Sequence, residues 1–355
     1  MKGDKTMKKY RLWSGTEDNQ YENCRIPGML VTTNRTLIIY NEARTTGSDW
    51  ALMDIFCRRS GDHGNTFGPP IYLAVGNEKH PTVNNPVMMQ DKNGRIHFLY
   101  CEDYGINGGR ILRRYSDDDG LTWSEPFDIT QSTMPDCRNA FALGPGHGIC
   151  TGSGTLIVPC WFVPKSVNAP VNQHSPSAVS TLYSTDCGEH WRLGEILSST
   201  EDIISPNESV AVERSDGNIY LSIRHNRQGL RARAVSRDGY SGWTDYELDP
   251  ASIDPLCFAS VAAYKTDSVP YTILLVNCEN PKVRTHVTVK GSVDNGNTWG
   301  LRCVIDEDQG GYPEIAVDNK NGLIYVLYEG TGAVELYLAI LEYCDLLPSP
   351  AEDHD

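Results

Sequence analysis

The sequence predicts an all-β fold, a six-bladed β-propeller, on three observations. A turn motif recurs along the chain, six short β-branched and aromatic runs lie between its copies, and no long amphipathic helix is visible. The motif reads S-x-D-x-G-x-T-W. It is complete at 116–123 and 292–299, carries Phe67 for Trp at 60–67, and carries His190 for Thr at 184–191. A degenerate fifth copy is read from Ser236. The five starts lie 56, 68, 52 and 56 residues apart.

The motif makes sense as a turn. Asp accepts hydrogen bonds from backbone N–H groups two residues on, as in an Asx-turn. Gly supplies a positive φ. The aromatic residue packs back under the loop. These aspartates are therefore expected to be structural rather than catalytic. The apolar runs fall at 36–40, 95–100, 155–159, 218–223, 271–276 and 323–328. Most follow a turn signal such as Asn93-Gly94, Gly152-Ser153-Gly154, Asp216-Gly217 or Asn321-Gly322. This spacing gives roughly one four-stranded unit per 50–60 residues, as a propeller blade requires. The 32 glycines and 20 prolines suit a turn-rich β protein. No linker interrupts the pattern, so residues 1–355 are expected to form one domain, with 1–20 as a lead-in and 348–355 as a frayed acidic tail.

The charge balance is 31 basic against 46 acidic side chains, a net −15. This excludes the basic footprint of a nucleic-acid binder and disfavours anionic membrane surfaces. It leaves room for an anionic ligand, because a few arginines reverse the potential inside one pocket. No run of 18 apolar residues predicts a membrane span. The first residues carry positive charge without an apolar segment, so no secretory signal is read. Eleven cysteines, an odd number without a C-x-x-C pair, read as thiols of a reducing compartment and argue against zinc. A cytoplasmic protein with no metal and no cofactor is the expectation. Sequons occur at Asn34 and Asn207, and a glycan on Asn207 would obstruct Glu208, a candidate site residue.

The four clear boxes, the Arg25-Ile26-Pro27 triplet and the segment 141–147 together resemble the exo-α-sialidases, closest in pattern to the non-secreted animal-type enzymes. The likeness runs from about Asn23 to Glu329. It implies a site in the central funnel of the propeller, collected from several blades. Arg25, Arg224 and Arg284 resemble the arginines that grip the sialic acid carboxylate, and three guanidinium forks around one carboxylate are chemically sensible. Tyr312, in Gly310-Gly311-Tyr312-Pro313, matches the nucleophilic tyrosine, and Glu208 the glutamate that takes its proton. A sialic acid carries a carboxylate on its anomeric carbon, so a carboxylate nucleophile would be repelled where a neutral tyrosine is not.

Asp49 matches the acid/base aspartate. Asp54 is a rival, but it falls within an apolar strand run. Glu329 matches a glutamate that steadies the first arginine. Arg44 matches a pocket arginine near O4, and the resemblance implies that Asn85 lines the N-acetyl pocket. Trp161 stands where the animal-type enzymes carry a tyrosine on the glycerol side, so linkage preference is left open. The segment Glu102-Asp103-Tyr104-Gly105 is a further rim candidate, and His147 reads as a packing residue rather than a base. The expected substrates are sialylated oligosaccharides, glycoproteins or glycolipids. Cleavage of a deaminated sialic acid, transfer to an acceptor, and a non-catalytic glycan-binding propeller stand as alternatives. A binder would need the arginines without Tyr312, Glu208 and Asp49.

Overall fold

The structure, a computed structural model, describes residues 7–17, 20–103, 109–133, 138–164 and 174–348. Six small sheets follow one another along the chain as a six-bladed β-propeller, antiparallel except where Gly146–His147 pairs in parallel with the first strand of the second blade. Their innermost strands are Asn23–Val31, Val83–Gln90, Arg138–Leu143, Ser209–Glu213, Ser260–Tyr264 and Glu314–Asp318. Each apolar run found in the sequence is the second strand of a blade, from Leu37–Arg44 in the first to Leu323–Glu329 in the sixth. These second strands are buried on both faces, which is why they read as continuous apolar runs rather than alternating ones. The buried clusters bridge neighbouring blades; one joins Ile38 and Tyr40 of the first blade to Phe98 and Tyr100 of the second. Among the described residues no helix is long and apolar enough to cross a membrane.

The N-terminal stretch read as a lead-in is a strand. Lys8–Ser14 pairs with Glu335–Glu342 and forms the outermost strand of the sixth blade. The two ends of the chain thus close the ring, which protects an edge that would otherwise stand unpaired. Of the acidic tail, 349–355 lies outside the described residues.

The boxes join the third and fourth strands of blades one to five. The sixth blade has none, because its fourth strand comes from the N-terminus. The expected Asx-turn is corrected in detail. Asp118 Oδ1 accepts from the N–H of Thr122 at 2.8 Å, four residues on, and Oδ2 from its hydroxyl at 2.6 Å. Ser116 Oγ donates to Asp118 at 2.8 Å and accepts the N–H of Gly120 at 2.8 Å. Two left-handed residues in a row, Asp119 and Gly120, bend the chain far enough for this longer reach. In the variant box His190 Nδ1 replaces the threonine hydroxyl, 2.7 Å from Asp186. The copy at Ser236 is genuine but one residue shorter, with Ser241 taking the threonine's part on Asp238. Trp191 lies buried under its own turn and donates to Gly188 O at 3.0 Å.

Candidate active site

Strand direction decides which residues meet. In the first blade Arg25 pairs with Glu42 and Arg44 with Met53, whereas Val31, Leu37 and Ser60 lie together at the other end. Starts of first strands and ends of second strands therefore share one face of the ring, and the boxes share the opposite face. On the first of these faces lies a cavity of about 330 Å³, lined by Arg25, Arg44, Asp49, Asn85, Trp161, Glu208, Arg224, Arg284 and Tyr312. Every residue expected to touch substrate is among them. They come from all six blades, or from the turns beside them.

One side of the cavity is built around Tyr312. Its hydroxyl donates to Glu208 Oε1 at 2.7 Å and accepts from Arg224 Nη1 at 3.1 Å. Arg224 also pairs with Glu208 Oε2. The register of the fourth blade sets this up: Ser209 faces Ile223, so Glu208 and Arg224 are opposite neighbours just beyond the pair. The guanidinium carbons of Arg25 and Arg284 stand 5.1 and 5.3 Å from the centre of the Tyr312 ring. Burial and the charge of Glu208 push the Tyr312 phenol well above its ordinary value, while the three arginines pull it down. The resting phenol is protonated.

Glu329 lies under Arg25, with Oε1 accepting from Arg25 Nε at 3.1 Å and from the Ile26 N–H at 2.9 Å. Arg284 differs from its fellows. Among the described residues it meets no carboxylate at ion-pair distance; its Nη2 donates to Leu256 O at 3.2 Å. Arg25, Arg44 and Arg224 each have a carboxylate partner.

Asp49 occupies the turn between the second and third strands of the first blade. Its Oδ1 accepts from Arg44 Nη1 at 2.6 Å and lies 3.9 Å from Arg25 Nη1. Burial raises its carboxyl, but the charge and hydrogen bond of Arg44, then Arg25 and His174, leave it below the usual carboxylate value. Asp54 is not in the cavity; it accepts from Tyr21 Oη at 2.5 Å and from Gly76 N at 3.0 Å. Glu102 and Asp103 are corrected as rim candidates. They gather at His80, whose Nδ1 lies 2.6 Å from Asp103 and 3.3 Å from Glu102, and they do not line the cavity. Tyr104 and Gly105 lie outside the described residues. His147 pairs with buried Glu314 at 2.5 Å, as a packing residue of the propeller axis.

Sequence reasoning missed Glu42. It is fully buried, accepts from Arg44 Nε at 2.8 Å, and accepts from the Asn85 N–H at 2.7 Å. Burial raises its carboxyl despite Arg44. A signal was available: Glu42 is a carboxylate just past the apolar run 36–40, two residues before Arg44 and so on the same strand face. Asn207, Asn226, Ser175 and His174 also line the cavity. Asn207 Nδ2 is used internally, donating to Ser205 O at 2.9 Å and Asn226 Oδ1 at 3.1 Å. Trp161 is 5 % exposed and meets His174 edge-on at 5.4 Å.

The chain is similar to known proteins. A family described as a BNR repeat-like domain matches residues 54–326. A sialidase of Bacteroides fragilis is 27 % identical over 351 residues, covering 89 % of this chain and 61 % of that protein. A sialidase of Micromonospora viridifaciens is 29 % identical over 343 residues, covering 88 % of this chain and 50 % of its own. The chain thus spans between half and two thirds of the length of these relatives. Among solved structures, a Hadza microbial sialidase superposes with a TM-score of 0.83 at 24 % identity, covering 94 % of this chain and 69 % of the other.

Proposed function

The chain belongs to the BNR repeat-like domain family, and from that premise we propose that it is a retaining exo-α-sialidase. Its substrates are terminal α-linked sialic acids on oligosaccharides, glycoproteins or glycolipids. One observation carries the reading: the Tyr312 hydroxyl lies 2.7 Å from Glu208 and 3.1 Å from Arg224, with Arg25 and Arg284 over the tyrosine ring. The arginines take the sugar carboxylate, and Arg284, whose Nη2 meets only a backbone carbonyl among the described residues, has donors left for it. Tyr312 oxygen attacks C2 while its proton passes to Glu208. Because the resting phenol is protonated, that transfer accompanies bond formation rather than preceding it. Asp49 gives its proton to the departing oxygen. A sialyl-tyrosine results. The Asp49 carboxylate then takes a proton from water, the hydroxide attacks C2, and Glu208 returns the proton to Tyr312. The sialic acid leaves with its configuration retained. No cofactor enters any step.

The test is hydrolysis of a fluorogenic α-sialoside from pH 4 to 8 by the wild-type protein and by Tyr312→Phe. Turnover by the wild type that Phe abolishes is the expected result. Full turnover in Tyr312→Phe would overturn the assignment of the nucleophile. No turnover by the wild type at any pH would overturn the activity itself. A cytoplasmic, reducing setting belongs to the same reading and is supported by ten cysteines outside any disulfide among the described residues; recovery of the native protein from an oxidising compartment would refute it.

A further inference from the structure

Three residues of the cavity have a left-handed backbone at the start of a first strand: Ile26 at φ 54, Asn85 at φ 52 and Tyr312 at φ 47. Such a conformation is uncommon for a side chain of this size and persists only when its surroundings hold it. In the first two cases the holder is a buried carboxylate that accepts the residue's own N–H, Glu329 for Ile26 and Glu42 for Asn85. In the third the acceptor is a thiol: the Tyr312 N–H donates to Cys257 Sγ at 3.3 Å.

Cys257 is itself clamped at both ends. Its N–H donates to Asp254 Oδ1 at 2.8 Å, and its carbonyl accepts from Arg231 Nη1 at 2.8 Å. Arg231 also reaches Asp254 Oδ2 at 3.1 Å, and both side chains are almost fully buried. The same turn serves two further purposes. Leu256 O receives Arg284 Nη2, and the Phe258 ring stacks on Tyr312 with centroids 5.8 Å apart. One turn of the fifth blade thus touches the nucleophile's backbone, the nucleophile's ring and the third arginine.

The geometry points to Cys257 as a positioning residue for Tyr312, its thiol holding the tyrosine in the strained backbone from which the hydroxyl meets Glu208. This rests on the sialidase reading for its kinetic consequence, but the hydrogen bond can be tested apart from it. The thiol is buried, with the Tyr312 N–H and Cys278 as its partners and Arg284 nearby; an effect through Arg284, a binding group, would fall on KM, and one through Tyr312 on kcat.

The experiment compares Cys257→Ala, Cys257→Ser and Cys303→Ala. Cys303 is a buried thiol in the outermost strand of the same blade, so its loss reproduces the packing defect without the contact. Cys257→Ala is expected to lower kcat on the sialoside tenfold or more with KM changed less than about threefold. Cys257→Ser, whose hydroxyl can accept the N–H, recovers most of that loss. Cys303→Ala lowers the melting temperature comparably and leaves kcat alone. Equal kcat in Cys257→Ala and Cys303→Ala would overturn the proposal. Should the wild type turn over no sialoside, the activity reading fails, and amide hydrogen exchange at Tyr312 decides this one. Faster exchange there in Cys257→Ala than in Cys303→Ala upholds it, and unchanged exchange refutes it.

Discussion

The two sides of the cavity are held in different ways. Tyr312 is 7 % exposed, stacked on Phe258, bonded through its hydroxyl to Glu208 and Arg224, and fastened by its backbone to Cys257. The Asp49 side chain is 46 % exposed, sits in a turn, and leans on Arg44. The difference follows the chemistry proposed for each. A group that forms a bond to one carbon gains from a fixed position, since small displacements cost large factors in rate. A group that gives a proton to a leaving oxygen and then takes one from water must stay in reach of both.

This contrast can be broken most directly at Tyr312. Removing its hydroxyl is expected to cost on the order of 10³ or more in kcat whatever the leaving group, because no other atom can form the intermediate. Asp49→Asn is expected to cost about 10² to 10³ on a sialyl-oligosaccharide and much less on an aryl sialoside, whose leaving oxygen needs little protonation. Equal losses on both substrates would show that Asp49 is not the proton donor. Comparing kcat for both variants on both substrates measures the two together.

A smaller effect sharpens the comparison through pH. Arg44 holds the Asp49 carboxyl below its ordinary value, mainly against the opposing pull of burial. Asp49 acts as an acid only while protonated, so kcat/KM falls as pH rises through its pKa. Arg44→Gln raises that pKa, and the alkaline limb of kcat/KM should move to higher pH. A limb that stays in place would assign it to another group.

The smallest effect lies on the far face. Asp118 is held at about 2, chiefly by the hydroxyl and N–H of Thr122. A carboxyl depressed in the folded state contributes stability above its unfolded value, near 4, and loses it as pH falls through the folded one. Asp118→Asn should therefore lower the melting temperature by a few degrees near pH 6, with the gap closing toward pH 2, and leave kcat unchanged. A change in kcat would mean that box and cavity are coupled through the blade.

The fold was legible because its signals are local. Each box closes on itself within eight residues, and each second strand announces itself as an apolar run behind a turn. Part of the site was legible only through the family resemblance; the structure places Arg25 and Glu208 at the starts of first strands, Arg224 and Glu329 at the ends of second ones. Cys257 was not legible, because nothing around it in sequence says that its thiol faces an amide 55 residues away. The strand at Lys8–Ser14 was hidden likewise, since its partner is the last strand of the chain.

The sequence by itself determined the number of blades and the turns between their outer strands. Those follow from hydrogen bonds and periodicities spanning a few residues. Only the tertiary structure decided that Arg284 meets a backbone carbonyl and, among the described residues, no carboxylate at ion-pair distance, that Glu42 supports both Arg44 and Asn85, and that a thiol fastens Tyr312. Each of these depends on which strand ends share one face of the ring, a matter of blade closure and register that no local pattern encodes.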